Sequence, residues 1–266
     1  MDFVDHLLEK LHNLIPHSYI ARKQTAYFKE RKANMNAGEV LCCMDFAENY
    51  SYVIQHEIQG YHRNNKYCTV HPCVCYFKVK NVNGDLETRH QSYCFLSEEV
   101  VHNVPMVHAF QTRLMSLLKD KVEGFSSVEY FTDGCAEQYK IFKSFSNIVY
   151  YEDHGVPCEW TFFATSHGKS PCDGLGGSVK RCTANESLRR PPSDGITDVH
   201  KMLEYCQSAF ENVHFEVTCK EDINTSSATL ENRISLSSTL DGTRSFHYFK
   251  HEGNGKIGEK IVCIRG

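Results

Sequence analysis

Apolar residues recur at nearly helical spacing at the start of the chain. This spacing predicts an amphipathic helix over residues 3–15 that Pro16 ends. The apolar positions are Phe3, Leu7, Leu11 and Leu14. A second helix is predicted over 19–32, and its basic side chains form either a solvated helix face or a phosphate-contacting surface. These side chains are Arg22, Lys23, Lys29, Arg31 and Lys32.

From Gly38 onward the pattern becomes typical of β-strands. A nearly unbroken apolar run over 39–46, a mixed run over 50–60 and a Val-, Tyr-, Phe- and Cys-rich run over 69–80 predict a three-stranded meander. After a turn signal, residues 86–96 either extend the sheet or cross its edge. A helical stripe follows, which we expect to pack on one face of the sheet. Its positions are Val107, Phe110, Leu114, Leu117 and Leu118.

Strands and helices then alternate. A short strand is predicted over 127–131, a helix over 136–149 and another strand over 160–165. A helix between two strands indicates that the strands are parallel neighbours. Further helices are predicted over 179–188 and 199–210, the first of them stopped by two prolines.

The resulting order is three strands, helix, strand, helix, strand, helix. This order predicts an α/β fold with a ribonuclease-H-like, mixed five-stranded sheet flanked by helices, in which the first, fourth and fifth strands lie side by side. We expect residues 1–37 to be an N-terminal helical segment and 38–212 to be the core. Residues 213–266, with alternating apolar positions and short apolar pieces, are predicted to form a small β-rich appendage.

Composition narrows the class of protein. With 266 residues, 41% of them hydrophobic, the chain can build a real core, and no apolar run is long enough to cross a bilayer. Thirteen cysteines without a visible export signal predict reduced thiols in an intracellular, nuclear or cytoplasmic protein that is not secreted. The net charge of -4 gives no overall attraction to polyanions, so nucleic-acid binding requires a local basic patch or metal ions.

Three aspartates occupy corresponding places in the predicted topology. Asp45 ends the first strand, Asp133 follows the fourth, and Asp173 opens the helix after the fifth. Carboxylates suit Mg²⁺ or Mn²⁺, and such a triad can hold the metal pair that activates a nucleophile and a leaving oxygen in phosphodiester chemistry. We therefore predict that all three are catalytic metal ligands, with Asp45 bridging. Asp173 is preferred to Glu159, which lies too early on its strand, and to Glu186, which lies too far along its helix.

Basic residues surround the third aspartate. Because they lie beside a candidate metal ligand, we expect them to contact DNA phosphates, with a solvated helix face as the alternative. The predicted nucleic-acid-binding residues are His167, Lys169, Lys180, Arg181, Arg189 and Arg190.

Several short segments together resemble the catalytic core of a group of animal DNA-transposon proteins. They are MDFAENY at 44–50, QGYH at 59–62 with NN at 64–65, HP at 71–72, DGC at 133–135, QYK at 138–140, FFATSHGKSPCDGLGG at 162–177 and KR at 180–181. The resemblance covers about residues 20 to 190, with an echo at 242–247. Arg63 stands where the group usually has Trp, and Ser170 where it usually has Gly.

The resemblance implies a DDE/D-type transposase on a ribonuclease-H-like fold. It makes Asp45, Asp133 and Asp173 the metal-binding triad, with Mg²⁺ or Mn²⁺ as cofactor. DNA is then the expected partner, a homo-oligomer on DNA is one expected assembly, and no membrane is involved. Such proteins normally carry an N-terminal DNA-recognition module, so we expect the chain to be a fragment or a truncated copy.

Three other interpretations stay open from the sequence. One is a catalytically silent transposon-derived module that binds DNA or a protein. Another is a cysteine hydrolase using Cys135 or Cys172, although no family-type signature surrounds either residue. The last is a structural zinc site, whose ligands would be Cys68, His71, Cys73 and Cys75.

Overall fold

A computed structural model describes residues 3–55, 66–164, 170–234, 246–253 and 256–260. The helices are α1 (Phe3–Ala33), α2 (Val104–Lys121), α3 (Phe142–Val149), α4 (Tyr151–His154), α5 (Pro171–Arg189), α6 (Val199–Ala209) and α7 (Lys220–Ile234). The strands are β1 (Glu39–Met44), β2 (Tyr50–Ser51), β3 (Tyr67–Lys80), β4 (Leu86–Ser97), β5 (Ser127–Thr132), β6 (Cys158–Phe162), β7 (Val213–Val217), β8 (Tyr248–Gly253) and β9 (Lys256–Lys260). The mixed α/β class is thus confirmed.

A mixed sheet runs through the centre of the described residues in the order β7-β4-β3-β1-β5-β6-β8-β9. β1 pairs antiparallel with β3 and parallel with β5, and β5 pairs parallel with β6. The segment β4-β3-β1-β5-β6 has the strand order and directions expected of a ribonuclease-H-like sheet, and the structure is compatible with that fold. The sheet is wider than the predicted five strands, because β7 extends one edge and β8 with β9 the other.

The meander uses different residues from those predicted. Its long second strand is β3 and its third is β4, whereas the predicted strand over 50–60 contributes only the two-residue β2 among its described residues. Residues 56–60 lie outside the described part of the chain. The β3–β4 register runs from Thr69 to Lys80, whereas the β2–β3 register pairs only two residues, so β3 and β4 are the second and third strands of the meander.

Alternation along β1 builds the two faces of the sheet. Val40, Cys42 and Met44 pack with the apolar side of α2, while Leu41 and Cys43 face α1 and the start of α5. α5 and α6 together cover the β3–β4 side of that second face. Helices therefore lie on both faces of the sheet, as a continuous apolar strand requires.

α1 is one continuous helix, so the prediction of two helices separated at Pro16 was wrong. A proline removes one backbone hydrogen bond of a helix, and the good helix formers on both sides retain the others. The first half of α1 exposes its apolar residues, whereas Tyr27 and Phe28 in the second half pack on Phe131 of β5. No described helix has the length and apolar character needed to cross a membrane.

The C-terminal residues do not form a separate β-rich unit within the described ranges. β7 pairs with β4, β8 pairs with β6, and the 15-residue helix α7 lies between them in sequence. Phe249 of β8 is completely buried against Phe162 of β6. The sequence predicts an appendage here, whereas in the described ranges β7 extends one edge of the central sheet and β8 with β9 the other. Residues 261–264 of the last apolar piece lie outside those ranges. The domain limits themselves remain predictions.

Candidate active site

Two of the predicted acids follow neighbouring parallel strands. Asp45 comes directly after β1 and Asp133 directly after β5. The register pairs Cys43 with Phe131, so two residues further along both strands Asp45 and Asp133 reach the same edge of the sheet. The sheet pattern continues briefly past β1, since the Asp45 N–H donates to the Pro72 carbonyl at 3.3 Å.

Asp173 is brought to this edge by α5. The helix begins at Pro171, with Ser170 as its N-cap, and Asp173 lies in the first turn. The Cys172 thiol donates to the Cys43 carbonyl of β1 at 3.3 Å. This bond fixes the first turn of α5 against the strand that precedes Asp45.

Burial and neighbouring negative charges act on the first two of these acids. Burial, followed by the negative charges of Asp133 and then Asp173, raises the pKa of Asp45 to about 7. Burial also raises the pKa of Asp133, although the Cys135 N–H, which donates to its Oδ1 at 3.1 Å, acts in the opposite direction. Within the described ranges no Lys or Arg forms an ion pair with any of the three carboxylates.

A cleft of about 330 Å³ opens between the end of β1 and α5. Asp45, Glu48, Asp173 and Lys180 are among its lining residues, whereas Asp133 is not. The Lys180 Nζ donates to the Glu48 carbonyl at 3.2 Å, which holds this cation at the cleft. One basic and three acidic side chains therefore meet here.

The side chain of Asp173 is engaged by its own helix. Its Oδ2 accepts from the Ser170 N–H at 2.9 Å, while the Ser170 Oγ accepts from the Cys172 N–H at 3.1 Å. This is a capping box, which satisfies two free N–H groups at the helix start. In this arrangement, no group of three His, Cys, Asp or Glu side chains among the described residues is placed to hold a metal ion.

The residues fit a divalent cation in chemistry and charge. Their donor set is made of carboxylate oxygens, which Mg²⁺ and Mn²⁺ prefer. A half-buried carboxylate facing two like charges, with no basic partner in the described structure, is in an environment that a cation would stabilise. The Asp173 Oδ2 accepts from the Ser170 N–H, so coordination by Asp173 would use its Oδ1 or the second lone pair of Oδ2.

The predicted basic residues are placed differently from one another. His167 and Lys169 lie outside the described residues. Lys180 lies in the cleft, and Arg181 is the next residue of α5, with an exposed side chain. Arg189 and Arg190 end the helix about 25 Å from Asp173 at 1.5 Å per residue. Arg190 pairs with Glu186 at 3.0 Å, so the structure does not bring this arginine to the cleft.

The competing carboxylates are directed elsewhere. Glu159 lies near the start of β6, paired in register with Glu129, and Glu186 pairs with Arg190. Neither is among the residues that line the cleft. Their positions agree with the preference for Asp173.

A buried hydrogen bond joins His71 and Tyr139 behind the site. The sequence suggests a role for His71 only as a zinc ligand and none for Tyr139. The two side chains are joined at 2.9 Å between Nε2 and Oη, and both are fully buried. Asp45 and Asp133 contribute to raising the pKa of the Tyr139 hydroxyl, after burial. His71 also contacts the ring of Phe46, the residue after Asp45, at 4.4 Å between ring centroids. The available signal in the sequence was the presence of these residues in the HP segment at 71–72 and the QYK segment at 138–140.

The thiols do not favour the alternative chemistries. Cys172 is buried, which raises the pKa of its thiol, and it donates to a backbone carbonyl, so it is a poor nucleophile. Cys73 and Cys75 share one face of β3 with His71, whereas Cys68 packs into a different cluster on the opposite face. The zinc site considered from sequence would need all four side chains on one side of the strand.

Two solved structures show a weak likeness to the fold. One is LC9-RNase H1, a type 1 RNase H with the type 2 active-site motif, with 10% identity, 85% of this chain and 80% of that chain covered, and a TM-score of 0.23. The other is NurA bound to dAMP and manganese, with 10% identity, 88% of this chain and 45% of that chain covered, and a TM-score of 0.19.

No curated protein matches the sequence. A family match covers residues 24–263, which is most of the chain and includes all three aspartates. The chain belongs to the family described as a domain of unknown function (DUF8701).

Proposed function

We propose that this protein is a transposase-derived core on a ribonuclease-H-like fold that cleaves and transfers DNA strands with two Mg²⁺ or Mn²⁺ ions held by Asp45, Asp133 and Asp173. The observation that supports the proposal is that Asp45 and Asp133 follow adjacent parallel strands, while Asp173, on α5, lines the same cleft as Asp45. Burial, with the charges of Asp133 and Asp173 as smaller causes, raises the pKa of Asp45 to about 7. An aspartate that merely ends a strand does not need to be buried beside other carboxylates. The raised pKa of Asp45, with no basic partner in the described residues, therefore favours a cation site.

Each residue has a distinct part in the proposal. Asp45 holds the central position, because both other carboxylates act on it. Asp133 lies beside it through the β1–β5 register, and Asp173 comes from across the cleft on α5. When bound, the metal pair would polarise a phosphodiester and lower the pKa of an attacking water or 3′-hydroxyl. Lys180 would bind a DNA phosphate at the cleft, and Arg181, with His167 and Lys169, would extend that contact.

One observation favours a second function, a catalytically silent DNA- or protein-binding module. Asp173 serves as the capping residue of α5, a role that stabilises the helix without any metal. A chain that retained the acids only for folding would show this same arrangement. The two functions differ in whether the folded protein turns over DNA.

The deciding measurement is nicking of supercoiled DNA with Mg²⁺ or Mn²⁺ by the wild type and by Asp133→Asn. We expect the substitution to lower the nicking rate roughly 100-fold or more, because it removes a ligand charge while keeping the side-chain volume. Asp85→Asn is the matched control, since Asp85 is an exposed turn residue. EDTA should abolish nicking and thiol alkylation should not.

Nicking that survives Asp133→Asn would refute the metal triad. A folded wild type that shows no nicking with either metal, but retains DNA in a salt-dependent manner, would establish the silent module instead. Inactivation by alkylation and insensitivity to EDTA would point to a thiol nucleophile.

A further inference from the structure

One face of α5 is built for close approach to the sheet. Its buried residues recur every three or four positions and face β3, β1 and α6. They are Cys172, Gly176, Val179, Thr183 and Ser187. The residues nearest the three aspartates are small, which allows the first two turns of the helix to lie near the strand backbone.

Gly176 lies where α5 approaches the segment that follows β1. A Cβ atom built on this residue would lie 3.1 Å from the Cβ of Ala47 and 3.5 Å from the Cγ of Pro72. The Ala47 Cβ is bonded directly to the backbone and the Pro72 ring is rigid, so neither can swing away. Any side chain at 176 therefore has to move the helix and the strand segment apart.

Gly174, on the same helix, has room for a side chain. A Cβ built there meets nothing within 4 Å. Both glycines belong to the first turns of α5, and Gly174 is the nearer of the two to Asp173 in sequence. The requirement for a missing side chain is therefore specific to Gly176 and is not a general property of this helix.

The contact at Gly176 joins the two segments that carry acids. Gly176 follows Asp173 by less than one helical turn, and Ala47 follows Asp45 by two residues. The Ala47 N–H donates to the Val70 carbonyl at 2.9 Å, so the segment after Asp45 is fixed to β3. Separation of Gly176 from Ala47 would consequently widen the cleft between Asp45 and Asp173.

We propose that Gly176 is a positioning residue: the absence of its side chain lets α5 contact Ala47 and Pro72, which sets the separation of Asp173 from Asp45 that metal binding requires. This inference rests on the proposed function. It extends that function because Gly176 carries no ligand atom and acts through the distance between two elements.

The test compares Gly176→Ala and Gly176→Leu with Gly174→Ala and Gly174→Leu. Direct Mn²⁺ binding is measured by electron paramagnetic resonance, and Asp45→Asn defines the binding that belongs to the site. A displacement of a few tenths of an ångström should weaken site-specific Mn²⁺ affinity roughly 10-fold in Gly176→Ala. Gly176→Leu should weaken the Mn²⁺ affinity further, whereas both Gly174 variants should retain the wild-type affinity.

A second measurement reports the helix position without metal. Cys172 is almost fully buried next to Cys43, so its alkylation rate, resolved by mass spectrometry, measures opening of the α5–β1 contact. The rate should rise in Gly176→Ala and stay unchanged in Gly174→Ala. Ala47→Gly combined with Gly176→Ala removes the opposing Cβ and should restore both alkylation protection and Mn²⁺ affinity.

Wild-type Mn²⁺ affinity in folded Gly176→Ala, or failure of Ala47→Gly to rescue it, would overturn the inference and leave the proposed function intact. Absence of Asp45-dependent Mn²⁺ binding in the wild type would refute the proposed metal site and the positioning role together. Loss of affinity with rescue by Ala47→Gly and no effect at Gly174 would establish the role.

Discussion

At the scale of single residues, Asp45 has the most demanding environment of the three acids. It is partly buried at the strand edge and faces the charges of Asp133 and Asp173. Asp173 has a satisfied hydrogen bond at the helix N-cap, and Asp133 accepts from a backbone N–H. Burial, together with these two charges, therefore opposes ionisation of Asp45, as expected of a carboxylate in a functional site.

This cost can be measured as a pH-dependent stability difference. Folding raises the pKa of Asp45 from 3.8 to about 7, so the folded state binds this proton more tightly than the unfolded chain does. Ionisation of Asp45 therefore lowers the free energy of unfolding as the pH rises from about 4 to about 7. In EDTA at pH 8, Asp45→Asn should raise the free energy of unfolding by about 1 to 3 kcal/mol.

Near pH 4 the same variant should match the wild type, because Asp45 is then protonated in the folded state. Urea unfolding at both pH values checks the difference, with Asp85→Asn as the exposed control. A destabilised Asp45→Asn at pH 8 would contradict the electrostatic account of the site.

At the scale of elements, α1 is tied to the sheet by a buried carboxylate. Glu129 of β5 is 2% exposed and accepts from Arg31 Nε at 2.8 Å, from the Tyr27 hydroxyl at 3.1 Å and from the Thr161 hydroxyl at 2.8 Å. Burial raises the pKa of Glu129 in spite of these donors. The ion pair thus fixes the second half of α1, whereas the first half contributes exposed apolar residues.

Arg31→Ala should lower the free energy of unfolding by about 2 to 3 kcal/mol, because it leaves a buried carboxylate without its cation. The loss is smaller than for a carboxylate left with no donor, because the Tyr27 and Thr161 hydroxyls still donate to Glu129. Lys29→Ala on the exposed side of α1 should have little effect. Adding Glu129→Gln to Arg31→Ala should recover part of the loss, and equal stabilities of the Arg31 and Lys29 variants would show that the pair does not anchor α1.

At the scale of the whole molecule, the C-terminal residues close both edges of one sheet. β7 covers the edge of β4, and β8 covers the edge of β6, the strand beside β5. Uncovered sheet edges invite pairing with other chains. β1 and β5, the strands that precede Asp45 and Asp133, lie in the interior of this sheet between β3 and β6.

Phe249→Ala tests whether β8 belongs to the same cooperative unit. The residue is fully buried against Phe162, so its truncation should lower the free energy of unfolding by about 3 to 5 kcal/mol. Phe3→Ala, at a position 77% exposed, should change it by less than about 0.5 kcal/mol. A small effect at Phe249 accompanied by separate unfolding transitions would instead support an independent C-terminal unit.

The pattern of apolar residues along the chain was sufficient to locate several helices and strands, because each depends on residues close together in sequence. Apolar runs located β1, β5 and β6, and the stripe beginning at Val107 located α2. Parallel pairing followed from the helices between strands. The position of Asp45 and Asp133 at one edge was predictable for the same reason, since residues after adjacent parallel strands must meet there.

The sequence by itself thus determined the class of fold and the location of β1 and β5, the adjacent parallel strands that Asp45 and Asp133 follow. Tertiary structure alone decided the wide sheet, because the pairing of β7 and β8 joins residues far apart in the chain. It also decided the continuity of α1 through Pro16 and the capping role of Asp173. The contact of Gly176 with Ala47 depends on packing of a helix against a distant strand, and the spacing of residues along a chain contains no measure of that distance.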